Sequence, residues 1–219
     1  MKKIITIFLF LLIITSCSSI DYSRIAPGYS EAFKAIKNVI VGYEDQLITK
    51  ELVENIPYAS SLMKIGKGPR GLIILESINS NYLTWVSADE VYLITKNGRV
   101  IQTAGLNNNL IEFSGPYRKK NLLNQADGTI HNYYFSYDFP YLRNLKATAI
   151  IKKKGEVKVD LLGGERKLIL IEEEISNDFI GWSAVNKFWM DKEGFVWKSE
   201  QHISPRVPKI ILEVTKKPS

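Results

Sequence analysis

From residue 58 onward the chain runs in short apolar stretches rich in Ile, Val, Leu, Tyr and Thr, cut by Gly, Asn, Asp and Pro. Alternation at a period of two puts one face of a strand in a core and the other in water, so this pattern predicts strands joined by turns. The candidates cover 63–65, 71–78, 110–114, 129–137, 147–152, 156–161, 167–175, 182–190, 195–202 and 209–215, with the richest stretch over 83–104. Its best-defined hairpin has Asn97-Gly98 between two apolar runs, because a type I′ turn needs two residues that tolerate positive φ. That turn sets Lys96 opposite Arg99, Ile94 opposite Ile101 and Tyr92 opposite Thr103. Two facing cations are unfavourable, so the tip is expected in solvent or against an acidic neighbour. Lys154-Gly155 and Asp191-Lys192-Glu193-Gly194 read as further hairpin turns. No strand-helix-strand alternation appears. The fold class expected is mainly β: a large antiparallel meander sheet rolled into a barrel or half-barrel, with one or two short N-terminal helices.

Helical spacing is confined to the first quarter. Ser30 caps a stretch whose Phe33, Ile36, Val39 and Ile40 share a face, ending near Gly42. A shorter turn of helix is expected over 49–56, capped by Thr49 and stopped by Pro57. Before these, Met1-Lys2-Lys3 leads into an apolar run from Ile4 to Ile14, followed by the small residues Thr15 and Ser16 and then Cys17. Basic, then apolar, then small is the layout of a secretory signal, and the run is too short to span a bilayer. Ile14-Thr15-Ser16-Cys17 resembles a lipobox, in which the cysteine thiol is joined to diacylglycerol and then becomes the first mature residue. The domain boundaries expected are 1–16 for a cleaved signal, 17–29 for a lipidated tether and 30–219 for one mainly-β domain.

Composition narrows the chemistry. Cys17 is the only cysteine of 219 residues, so no disulfide or cysteine metal site forms within one chain. Net charge is +6, spread along the chain in short runs such as Lys152-Lys153-Lys154, and a nucleic-acid interface would gather it on one face. His131 and His202 fall in no metal or hydrolase pattern, and no Gly-x-Ser-x-Gly elbow is present. Asp89-Glu90, Glu172-Glu173-Glu174 and Asp191 with Glu193 invite a glycosidase reading, yet adjacent strand residues point to opposite faces, so few of them share a cleft. Glu172 and Glu174 do share a face, which reads as a solvated edge. Trp85, Trp182, Trp189 and Trp197 lie on expected strands and are the candidate glycan or partner contacts, with core packing the competing role. Neither a catalytic residue nor a metal ligand is expected, and no cofactor beyond the covalent lipid on Cys17.

Several segments resemble the YjbF/GfcB family of group 4 capsule polysaccharide lipoproteins. They are Gly68-Pro69-Arg70, Trp85-Val86-Ser87-Ala88-Asp89, Asn97-Gly98-Arg99-Val100 with Thr103-Ala104-Gly105-Leu106, Asn186-Lys187-Phe188-Trp189-Met190-Asp191, 194–201 and Ser204-Pro205. The resemblance implies a mostly antiparallel β-structure and a role in making or exporting an extracellular polysaccharide, beside an outer-membrane barrel and a periplasmic companion. It brings no catalytic residue. The function expected is therefore that of a non-enzymatic outer-membrane lipoprotein, anchored through Cys17, on the periplasmic face, with the polysaccharide as a further partner and nucleic acid excluded. Ser18 after Cys17 agrees, since in enterobacterial sorting a residue other than aspartate there directs a lipoprotein to the outer membrane. Two alternatives remain at this point: a carrier holding an acyl chain in a closed apolar cavity, and a carboxylate-based polysaccharide-modifying enzyme. An acyl anchor gains about 0.8 kcal/mol per buried methylene, so several chains on one cysteine hold a protein on a membrane.

Overall fold

A computed structural model describes residues 47–116 and 121–218. The expected signal, Cys17, the tether and the helix over 30–42 lie outside the described residues. The short helix α1 (Lys50–Glu54) forms where Thr49 was expected to cap it, and the Thr49 hydroxyl accepts the Leu52 N–H at 3.3 Å.

Twelve strands follow: β1 (Ser60–Ile65), β2 (Gly71–Asn79), β3 (Tyr82–Ser87), β4 (Tyr92–Lys96), β5 (Arg99–Ala104), β6 (Leu110–Ser114), β7 (Ile130–Tyr137), β8 (Leu142–Leu161), β9 (Gly164–Asn177), β10 (Trp182–Met190), β11 (Val196–Gln201) and β12 (Ile210–Lys216). They make one sheet in the order β5-β4-β3-β2-β1-β12-β11-β10-β9-β8-β7-β6, antiparallel throughout. Two meanders, β1 to β5 and β6 to β11, are thus joined by β12, which pairs with β1 on one side and β11 on the other.

The sheet curls until its two edges, β5 and β6, come together, nearly closing a barrel. No ladder joins them. The Leu110 N–H donates instead to the Thr103 hydroxyl at 2.9 Å, and the loop between the edges is held by Asn109, whose backbone and side-chain N–H groups both donate to Asp138 at 2.7 Å. Inside, Trp85, Leu93, Phe113, Tyr133, Phe135, Tyr137, Ile175 and Ile210 form the main core. A second cluster of Phe188, Met190, Val196, Ile151 and Ile171 continues it under the β10–β11 turn.

Two expectations from the alternation need correcting. Lys154-Gly155 is not a hairpin turn. The chain runs through it as the single 20-residue strand β8, with a bulge between Lys153 and Gly155 where Gly155 takes φ +85°. The true turn is Leu162-Gly163, and the far part of the β8–β9 hairpin folds back over the sheet, packing Val159, Leu161 and Leu168 on Trp189 and Trp197. Its tip reaches β12, where the Leu162 N–H donates to Glu213 at 2.6 Å. In the β4–β5 hairpin Lys96 does face Arg99, but Ile94 faces Gln102 and Tyr92 faces Ala104. A bulge skips Ile101, which lets Val100, Ile101 and Thr103 all be buried.

Candidate functional site

The Asn97-Gly98 turn has the positive φ values the sequence demands, 50° and 75°. Asn97 is exposed, while the rest of the turn is packed. Gly98 lies against Val196 so closely that a Cβ there would come within 2.3 Å of the valine Cβ. The tip is held by Gln201 of β11, whose Nε2 donates to the Gly98 carbonyl and whose Oε1 accepts the Val100 N–H, at 2.8 and 2.9 Å. One side chain thus supplies the backbone pairing that this part of β5 lacks from a neighbouring strand.

Arg99 follows the turn and points inward. Its guanidinium donates through both terminal nitrogens to Glu173, at 2.8 and 2.5 Å, and the two side chains are 4% and 0% exposed. Glu173 also accepts the Tyr133 hydroxyl at 2.6 Å and the Asn186 side-chain amide at 3.0 Å, so both carboxylate oxygens are bonded twice. The rings of Phe113, Tyr133 and Phe188 surround the guanidinium at 4.8 to 5.2 Å. Asn186 passes the network on by accepting the His202 N–H at 2.7 Å. Burial on its own would push the Glu173 carboxyl up; the Arg99 charge and the four donated hydrogen bonds outweigh it and hold the carboxyl below the usual range. The acidic neighbour expected for Lys96 and Arg99 is therefore real for the arginine, while Lys96 settles over the Tyr82 ring at 4.2 Å.

His131 borders this network on β7, stacked on Tyr133 at 5.9 Å, and its Nε2 is buried without a hydrogen bond among the described residues. Burial lowers its pKa, Glu173 opposes this and Arg99 reinforces it. Burial, with Lys209, lowers His202 as well, against the Val185 backbone and Glu200. A depressed histidine value means that the unfolded chain binds more protons once the pH drops below ~6.5, so stability falls with acidification from there down to the folded value. We expect the melting temperature to drop between pH 7 and 5.5, with a shallower slope in His131→Gln. An unchanged slope would dismiss His131 as a contributor.

The four tryptophans do not form one surface. Trp85 is buried and donates to the Thr95 hydroxyl at 2.9 Å; Trp182 packs edge-on against Phe135 at 6.1 Å. Trp189 and Trp197 lie under the β8–β9 hairpin, with Arg166 3.8 Å above the Trp197 ring and the Trp197 N–H given to Asp191. Most of the candidate carboxylates are engaged as well, Asp89 by the Ser87 hydroxyl, while Glu90 and Glu193 are exposed. Glu174 pairs with Lys152, Glu172 with Lys154 and Lys187, and Asp191 accepts the Phe195 N–H as well as that of Trp197. No group of three or more metal-binding side chains occurs among the described residues.

With its middle filled, the barrel keeps space at one mouth, a cup of about 520 Å³ rimmed by the β2–β3, β4–β5 and β10–β11 turns and by Lys217. Trp85 and Trp197 both reach it. Most polar groups in its wall are already bonded: Trp85 to Thr95, Ser61 to the Glu213 carbonyl, Ser199 to Gln201, and Asn121 to Gly194 and Leu123.

Asn97, Gly98 and Arg99 of one motif are thus gathered with Asn186, Ser199 and Gln201 of two motifs more than 80 positions further along the chain. Residues 33–214 match the family described as group 4 capsule polysaccharide lipoprotein gfcB, YjbF. The chain belongs to this YjbF family. Among its curated relatives are two Escherichia coli (strain K12) proteins. The uncharacterized lipoprotein YjbF is 28% identical over 161 residues, 71% of this chain and 74% of that one. The uncharacterized lipoprotein GfcB is 26% identical over 169 residues, 75% and 78% of the two chains. The crystal structure of the hypothetical lipoprotein YmcC from Escherichia coli (K12) superposes with a TM-score of 0.68, covering 90% of this chain and 100% of that one at 22% identity, which shows a shared fold. Sequence reasoning about this YjbF family member met Glu173 only as one of three adjacent carboxylates and Gln201 only as part of a motif, and it passed over Tyr133. A signal for Glu173 was present: it shares its strand face with Ile171 and Ile175, and so sits in an apolar row that its neighbours Glu172 and Glu174 avoid.

Proposed function

We propose that this protein is a lipid-anchored, non-enzymatic component of extracellular polysaccharide assembly or export, held by Cys17 on the periplasmic face of the outer membrane. The observation that carries the reading is the fate of the family motifs. Their residues meet in a closed hydrogen-bonded core around Arg99 and Glu173, where the carboxylate accepts four bonds and keeps no lone pair directed at a cavity. Such a centre fixes a shape and offers no nucleophile or proton donor to a substrate. The filled barrel middle speaks for this reading over an acyl-chain carrier, and the engaged carboxylates speak for it over a glycosidase. Its partners would be the polysaccharide, an outer-membrane barrel and a periplasmic companion.

Deleting the gene should lower the polysaccharide recovered from the cell surface, and an unchanged yield would reject the role. Cys17→Ser should move the protein from the membrane fraction to the soluble one. A C-terminally tagged chain extracted from membranes should bring down an outer-membrane barrel protein.

A further inference from the structure

Polar groups already bonded within the protein have little to give a ligand, and on that measure the cup is not the best place for a sugar. A second concavity differs. It is a groove of about 470 Å³ on the other face of β2 to β5, walled on its far side by Ile111 and Glu112 of β6. Its floor is set by register: Ser77 pairs with Thr84, Thr84 with Ile94 and Ile94 with Gln102, one row across four strands. The next row carries Asn79, Tyr82 and Lys96. The side chains of Ser77, Thr84 and Gln102 and the Tyr82 hydroxyl have no hydrogen-bond partner among the described residues.

We infer that this groove binds a saccharide chain laid across the strands. The inference rests on the proposed polysaccharide role and gives it a place on the molecule. Neighbouring strands are ~4.8 Å apart, which is close to the length of one pyranose unit in an extended glycan, so successive units would each meet one floor residue. Hydroxyl and amide side chains that can both donate and accept match sugar hydroxyls in either sense. Tyr82 adds a partly exposed ring and its hydroxyl at the floor, and the Lys96 ammonium over that ring adds a donor for sugar hydroxyls. Ile94 and Ile111 supply apolar contact between the polar positions. The four indoles are packed or bonded within the protein, so recognition in the groove rests on its hydroxyl, amide and ammonium groups.

The test uses the full-length lipidated protein in detergent micelles, and oligosaccharides released by partial hydrolysis from the surface polysaccharide of the producing cells. Titration calorimetry and saturation-transfer NMR should both report binding. Thr84→Val with Gln102→Ala should weaken it about tenfold, as expected for two lost hydrogen bonds, while Thr84→Ser should retain it. Valine suits a strand as well as threonine, so these variants should melt like the parent. Lys217→Ala at the cup should leave affinity unchanged. Absence of binding, a wild-type affinity in the groove variants, or a loss at Lys217→Ala alone would each overturn the inference. Cells expressing the groove variants separate it from the broader role: if deletion lowers surface polysaccharide but the groove variants restore it fully, the groove fails and the role stands.

Discussion

Replacing Glu173 by Ala should destabilise the protein by about 3 to 5 kcal/mol, among the largest effects of any single substitution here. The loss comes less from the attraction removed than from what remains. Arg99 would keep its charge at 4% exposure among Phe113, Tyr133 and Phe188, and the Tyr133 hydroxyl and Asn186 amide would lose their acceptor. Arg99→Met in the same chain should recover a substantial part of the stability, since an apolar side chain of similar length leaves no buried charge. Urea unfolding of the two single variants and the double variant measures the coupling directly. Additive losses would mean that the pair is not the unit described. Acid provides a second view of the same group. Because the folded carboxyl lies below its unfolded value, its stabilisation is complete above the ordinary carboxylate range and is lost as the pH falls through the folded value. Glu173→Gln should flatten that part of the stability profile.

Gly98→Ala should cost about 2 to 5 kcal/mol, from a left-handed backbone imposed on an L-residue and from overpacking. The Cβ would meet three carbons of Val196 at 2.3 to 2.7 Å, on a backbone at φ +75°. Val196→Gly, which removes all three carbons, should relieve the steric part alone, so the double variant should lose less than the sum of the two singles. Thermal unfolding of the four proteins decides this, and full additivity would dismiss the contact.

Much of the fold was legible because the cues were local. Asn97-Gly98 named its own turn, Thr49 its own cap, and the alternation over 182–190 separated buried Phe188 and Met190 from Trp189. The errors fall where one residue breaks a period of two. At Lys154-Gly155 the glycine serves a bulge in a long strand, and composition does not distinguish a bulge from a turn. At Ile101 the same device shifted the register expected for the hairpin by one. The site was legible in pieces only. Arg99 and Gln201 lie in the motifs that carried the family resemblance, but Glu173 is 74 positions from Arg99, and its role depends on a barrel curvature that no local pattern encodes.

The placement of β12 constrains how this chain is made. Ser60 at the start of β1 pairs with Lys216 of β12, and among the described strands β12 alone links the two meanders in the sheet order. A contact spanning so much of the chain forms late, after a long loop has closed. During synthesis or passage across a membrane N-terminus first, the first meander therefore exposes its β1 edge until β12 emerges. Closure of the barrel waits on β12, and that strand sets its timing.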